Sequence, residues 1–276
     1  IGKIIQARKK DHLIRNRLHL RFEIDNIDKV EELRRYLQNG DVDLLSFMDH
    51  TPGQGQYRNL ETYRKTIQGY KNISAAQADR LIRNNMHKEL LTWDTIRELT
   101  KLAQSMGVAV ASHDDDSPEK IWLIHDLGIG ISEFPITLDT ARAAVSCGLP
   151  TILGAPNVLR GQSQSGSMRA IDAIRAGVAS CLCSDYQPAT LIAAAFAVAA
   201  QTDLTLPRAI ALVTANPADA CGLADRGRIA VGHRHQVGAL PLVSHTWSAG
   251  RLVFSTHYAP SRAAAPAVGA GALVAA

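Results

Sequence analysis

Six short apolar runs recur along the chain, separated by segments of helical periodicity. This alternation constrains the fold more than any other feature. The runs are 17–24 (RLHLRFEI), 42–49 (VDLLSFMD), 107–113 (GVAVASH), 130–135 (GISEFP), 150–155 (PTILGA) and 178–185 (VASCLCSD). Between them, 28–38, the long stretch 60–104, 118–128, 137–148 and 167–177 carry apolar residues at three- and four-residue spacing, several ending in glycine. Parallel strands need a crossover long enough to hold a helix, so this pattern predicts a parallel sheet or a (β/α) barrel. A doubly wound dinucleotide-binding sheet is disfavoured, because no strand runs into a Gly-rich dinucleotide loop. At 276 residues the chain has the length of one α/β barrel, typically about 250 residues.

Chemistry-bearing residues gather where such a fold would use them. His50, His113, Glu133, Asn157 and Asp185 fall at or just beyond the C-terminal ends of predicted strands, the end at which an α/β barrel builds its active site. Glu23, His50, His113 and Asp185 are candidate ligands for divalent zinc, manganese or iron, one or two ions per site, since imidazole and carboxylate suit all three metals. Each has a plainer reading. A strand-end histidine can serve only hydrogen bonding, and Glu23 can pair with Arg21, two residues earlier on the same strand face. Asp185 follows an apolar strand, where an unpartnered carboxylate is costly unless it binds metal or takes protons. It is therefore also the candidate catalytic base. The acids after His113 divide: Asp116 reads as a solvated helix start before Ser117-Pro118, and Asp114 as a residue that either braces a ligand or touches substrate. Two Gly-rich loops, 49–58 (DHTPGQGQYR) and 154–166 (GAPNVLRGQSQSG), each contain one arginine. Backbone N–H groups and guanidinium together favour phosphate, so each loop reads either as an anion site or simply as a turn.

The remaining sequence sets limits. Net charge is +4 and the pI near 8.9, which suits an anionic small molecule but is too diffuse for nucleic acid. No apolar run approaches the ~18 residues of a membrane span. Cys147, Cys181, Cys183 and Cys221 form no CxxC pair and read as reduced thiols of a cytoplasmic protein, Cys181 and Cys183 pointing the same way. Three units are expected: an incomplete barrel over 1–222, a remnant of a small β-sandwich over 223–258, and a disordered Ala-rich tail over 259–276. Residues 188–201 and 206–223 read as further helices.

Taken in order, HLRFE, SFMDHTPGQGQYR, ASHDDD, SEFPIT, GAPNVLRG, CSDYQPATL, VTANPA and DRGRIAVG resemble the motifs of the α-D-ribose 1-methylphosphonate 5-triphosphate diphosphatases of the amidohydrolase superfamily. The resemblance spans roughly 12–255. It implies a TIM-like barrel that releases pyrophosphate from the sugar triphosphate on the carbon–phosphorus lyase pathway, through a metal-bound hydroxide. Carried over by motif, Glu23, His50, His113 and Asp185 would be ligands, and Arg58, Asn157 and Arg160 would hold phosphate or phosphonate. Three departures stand out. The family's first two strands, the first with a His-x-Asp motif, are absent, so the chain is expected to be truncated. Gln164 stands where the family tends to show histidine, and the Ala-rich tail is unlike it. A chain lacking those strands is expected to leave the backbone of the Asp185 strand facing solvent or another chain, and to be inactive or nearly so. Another amidohydrolase, deacetylase or dihydroorotase-like, and an inactive remnant that only binds phosphorylated ligands remain alternatives. Assembly into a homo-oligomer is left open.

Overall fold

A computed structural model of the chain describes residues 1–8, 16–163, 166–230, 245–248 and 251–255. Each of the six predicted runs forms a strand: β1 (His19–Glu23), β2 (Leu44–Met48), β3 (Ala109–His113), β4 (Ile131–Glu133), β5 (Thr151–Gly154) and β6 (Cys181–Cys183). They lie side by side in chain order, and every neighbouring pair is parallel. The fold is that of a partial TIM-like barrel.

The helices are α1 (Gly2–Arg8), α2 (Val30–Gln38), α3 (Leu60–Lys71), α4 (Ala75–Met86), α5 (Trp93–Ser105) and α6 (Pro118–Asp126), then α7 (Leu138–Ser146), α8 (Ala155–Arg160), α9 (Ala170–Arg175), α10 (Thr190–Gln201), α11 (Leu206–Ala211) and α12 (Ala215–Ala220). Alternation along the strands divides the sheet into two faces. On the outer face, Leu20, Phe22, Leu45, Phe47 and Val110 pack with Leu33 and Leu37 of α2, Ile96 and Leu99 of α5, and Ile121 and Ile124 of α6. Leu99 is wholly buried there, and truncating it to alanine would cost about 2–5 kcal/mol. A second outer cluster joins Leu153 and Leu182 to Ile171, Ile174 and Val198. The inner face carries Ala111, Ile131, Ile152 and Cys181, with Cys183 packed against them. Burial pushes both the Cys181 and Cys183 thiols up to about 12, so neither forms a thiolate near neutrality.

Several local readings needed correction. The stretch 60–104 is three helices, because Asn72 takes a left-handed conformation after α3 and a Ser74–Gln77 capping box opens α4. Tyr63, Ile67 and Ile82 give the α3–α4 pair a small core of its own. The expected open loop at 154–166 begins as a helix: Pro156 sits in the first turn of α8, and Gly161 (φ +69°) ends it. Residues 206–223 hold two helices rather than one, broken around Thr214. The outer edge of β6 is not left to solvent. Leu182 N–H donates to Leu212 O (2.8 Å), and Asn216 Nδ2 donates to Ser180 O (2.7 Å). Two antiparallel strands, β7 (His245–Ser248) and β8 (Arg251–Ser255), form a separate hairpin. His233, His235 and the expected tail lie outside the described residues.

Candidate metal centre

The inner face repeats every second residue, and this parity assembles the site. Arg21 and Glu23 on β1, Ser46 on β2, His113 on β3 and Glu133 on β4 all share it. His50 follows Met48 by two residues, and Asp185 follows Cys183 by two.

His50, His113 and Asp114 form a group in which one ligand-capable atom of each lies within 4.8 Å of the others, the group of this kind found among the described residues. Asp114 Oδ2 stands 3.1 Å from His113 Nδ1 and 3.9 Å from His50 Nε2. His113 Nδ1 and Asp114 Oδ2 are buried, and neither completes a hydrogen bond among the described residues. Buried polar atoms without partners are costly, and two of them converging beside a second imidazole fit a divalent cation. Burial lowers the His113 pKa, but the Asp114 carboxylate more than offsets it, and the net shift is upward.

Glu23 and Asp185, both expected in the metal shell, lie outside this three-residue group. Glu23 Oε1 meets His50 Nδ1 at 2.6 Å, which fixes the ring and directs Nε2 toward Asp114. Asp185 is exposed on the wall of the adjoining cleft, with φ +47°. Asp114, expected to brace a ligand or touch substrate, joins the two histidines in this group. The turn after β3 places it in the left-handed region at φ +55°, a conformation costing a non-glycine residue about 1–2 kcal/mol.

Two neighbours hold that turn. Asp115 is 1% exposed, and its carboxylate accepts from Ser112 Oγ and Ser132 Oγ, both at 2.6 Å. Burial raises its pKa, and the two hydroxyls act against that shift. Asp116 is not simply a solvated helix start: its Oδ2 accepts from Gly55 N–H at 3.0 Å, tying 49–58 to the turn. Gly55 has φ +50°, and a Cβ there would lie 3.0 Å from Asp114 O, so any side chain at this position would be strained.

Sequence reasoning passed over Arg21 except as a partner for Glu23. The guanidinium instead contacts His113 Nε2 at 2.9 Å. Arginine can only donate, so that contact requires a neutral ring with its proton on Nδ1. Below it, Ser46 Oγ donates to Glu133 Oε2 (3.0 Å) and contacts His19 Nε2 (2.6 Å). Burial lowers the His19 pKa, partly countered by Glu133. The shared strand parity was the available signal for Arg21. For Asp115, a run of three acids did not say which one turns inward.

The group opens into a cleft of about 920 Å³, walled by Arg21, Asn157, Arg160 and Asp185 and, from α3, by Lys65 and Tyr70. Asn157 also braces the loop after α8: its Nδ2 donates to Met168 O and its Oδ1 accepts from Ala170 N–H. Arg58 is exposed and is not among the cleft-lining residues.

Residues 47–234 match the amidohydrolase family. The chain belongs to that family. Within it, the chain is 37% identical over 248 residues to the α-D-ribose 1-methylphosphonate 5-triphosphate diphosphatase of Escherichia coli strain K12. That match covers 87% of this chain and 66% of the relative, so the chain spans just under two thirds of the relative's length. Solved structures share the amidohydrolase fold at low identity. N-acetylglucosamine-6-phosphate deacetylase from Pasteurella multocida has TM-score 0.51 at 14% identity, covering 86% of this chain and 75% of that one. A prolidase complexed with N-methylphosphonate-L-proline has TM-score 0.53 at 14% identity, covering 82% and 58%.

Proposed function

We propose that this amidohydrolase carries the site that releases pyrophosphate from α-D-ribose 1-methylphosphonate 5-triphosphate in phosphonate catabolism, in the cytoplasm. The observation that carries this reading is the 37% identity to the diphosphatase over 87% of the chain. His50, His113 and Asp114 would hold a divalent ion, zinc, manganese or iron, with Glu23 and Asp185 available to a second. When bound, such an ion brings the pKa of water toward neutrality and offsets phosphoryl charge.

The chain's own residues supply the rest. Asp185, across the cleft, takes the proton of the attacking water. Arg21, now 2.9 Å from His113 Nε2, would be released to pair with phosphate oxygens if His113 held the ion through Nδ1, because its Nε2 would then carry a proton rather than a free lone pair. Arg160 meets the leaving phosphates from the opposite wall, where a planar guanidinium can pair two oxygens at once. Attack breaks the P–O bond between the first and second phosphorus atoms. Pyrophosphate departs and the 5-phosphate stays on the sugar. The test is ³¹P NMR of the zinc- or manganese-loaded chain with the sugar triphosphate. Pyrophosphate and the 5-monophosphate are expected in equal amounts; this departs from the inactivity expected on the sequence, because Leu212 and Asn216 cover the β6 edge that was expected to be left open. Stepwise orthophosphate, or equal turnover by a His113→Ala variant, would overturn the reading.

A further inference from the structure

We propose that one face of α3 is the recognition surface for the phosphonate end of the substrate, with Lys65 supplying the charge and Gly69 the close approach. This rests on the reading of the cleft as a sugar-triphosphate site. Thr62, Lys65, Thr66, Gly69 and Tyr70 all line the cleft. Their spacing of three, four, seven and eight from Thr62 is that of a single helical face. The adjoining stripe, with Tyr63 and Ile67, is buried in the small α3–α4 core. The packing therefore presents this face to the cleft.

Gly69 carries the inference furthest. Glycine inside a helix lowers stability relative to alanine, because its backbone has more freedom to lose. Among the described residues nothing in the fold asks for it: a Cβ at position 69 would meet none of their atoms within 4 Å, and the backbone there is not in the left-handed region. A destabilising residue that the protein's own packing does not require, set in a cleft wall, leaves bare backbone for something that binds. On either side of it stand groups suited to a sugar bearing an anion. Lys65 is a point charge on a flexible stem, its side chain 73% exposed and its ammonium 3.6 Å from Glu61. Thr62 offers a hydroxyl, whereas Thr66 Oγ1 already donates to Thr62 O (2.9 Å), and Tyr70, 83% exposed, offers an aromatic plane. The triphosphate end is already served by Arg21 beside the metal centre and by Arg160 on α8. The cation on α3 is left for the anion at the other end of the ligand.

The test compares binding of two ligands that differ only at C1: ribose 5-phosphate with and without a 1-methylphosphonate. Titration calorimetry on the metal-loaded chain should show at least a tenfold preference for the phosphonate compound. Lys65→Met should shrink that preference to about twofold or less while leaving ribose 5-phosphate affinity within about twofold. Gly69→Ala should weaken phosphonate binding several-fold while raising the melting temperature by about 1–4 °C. A preference that survives in Lys65→Met, its absence from the wild type, or a Gly69→Ala variant that is more stable and binds as before would each overturn the proposal. Pyrophosphate release is scored separately on the wild type. Loss of that activity with the preference intact would refute the reaction and not the recognition surface.

Discussion

His113, on the cleft floor, exposes 8% of its surface, whereas Tyr70, on the α3 wall, exposes 83%. The floor is set by strand geometry. His113 and Glu133 sit in register on β3 and β4, and the turn behind His113 is pinned by the buried Asp115. The wall is set by helices whose inner faces make local contacts and whose outer faces are free to carry any side chain. On the proposed reading, chemistry that tolerates little displacement lies where displacement is hardest, and selection among substrates where residues can change without disturbing the sheet.

The sharpest way to break this contrast is at the floor. His113→Ala and His50→Ala should each leave the purified chain with metal at background, measured by plasma mass spectrometry, and with no detectable turnover. Retention of metal by either variant would mean that the group is not a metal centre. Asp115→Ala comes next. It strands two serine hydroxyls that now donate to a carboxylate, so urea denaturation should show a loss of at least about 2 kcal/mol. Metal affinity should fall about 10–100-fold, because Asp114 loses the anchor of its turn. A stability loss with unchanged metal affinity would make Asp115 a core residue and nothing more.

Acidification sharpens the contrast further. A ligating imidazole must be neutral, and the His113 pKa lies above the ordinary 6.5, so protons should displace metal beginning above that pH. In protein stripped with chelator the sign reverses. The same upward shift stabilises the fold fully below pH 6.5 and is lost as pH rises through the folded-state value. Metal content and chelator-treated melting temperature, followed between pH 5 and 9, would report both. The smallest effects belong to the exposed residues. Arg160→Ala should lower kcat/KM by about 10–100-fold, as expected for a lost bidentate phosphate contact. Arg58→Ala, off the cleft, should change it by about twofold or less.

The strands were legible because apolar runs of that length, bounded by glycine and polar residues, have few other uses. The donors at their ends were legible because period-two geometry carries a side chain just past a strand to a definite face. Which carboxylate joins His50 and His113 was not. Asp114 earns its place through a left-handed turn that no periodicity encodes, and Glu23 reaches His50 only once β1 and β2 are in register. The helical start of 154–166 was obscured by its glycines, although Pro156 is a good first-turn residue. The break at Asn72 was hidden within a long stretch of uniform helical spacing.

The connector that runs from α11 into α12 places Leu212 O and Asn216 Nδ2 on the outer side of β6. An incoming extended segment would find those hydrogen-bonding positions already taken. Detachment of residues 206–220 would therefore expose a template for intermolecular strand pairing while the rest of the sheet was still formed. Shelf life on gentle warming would then be governed by how firmly two short helices stay seated, and light scattering should rise before the sheet itself melts.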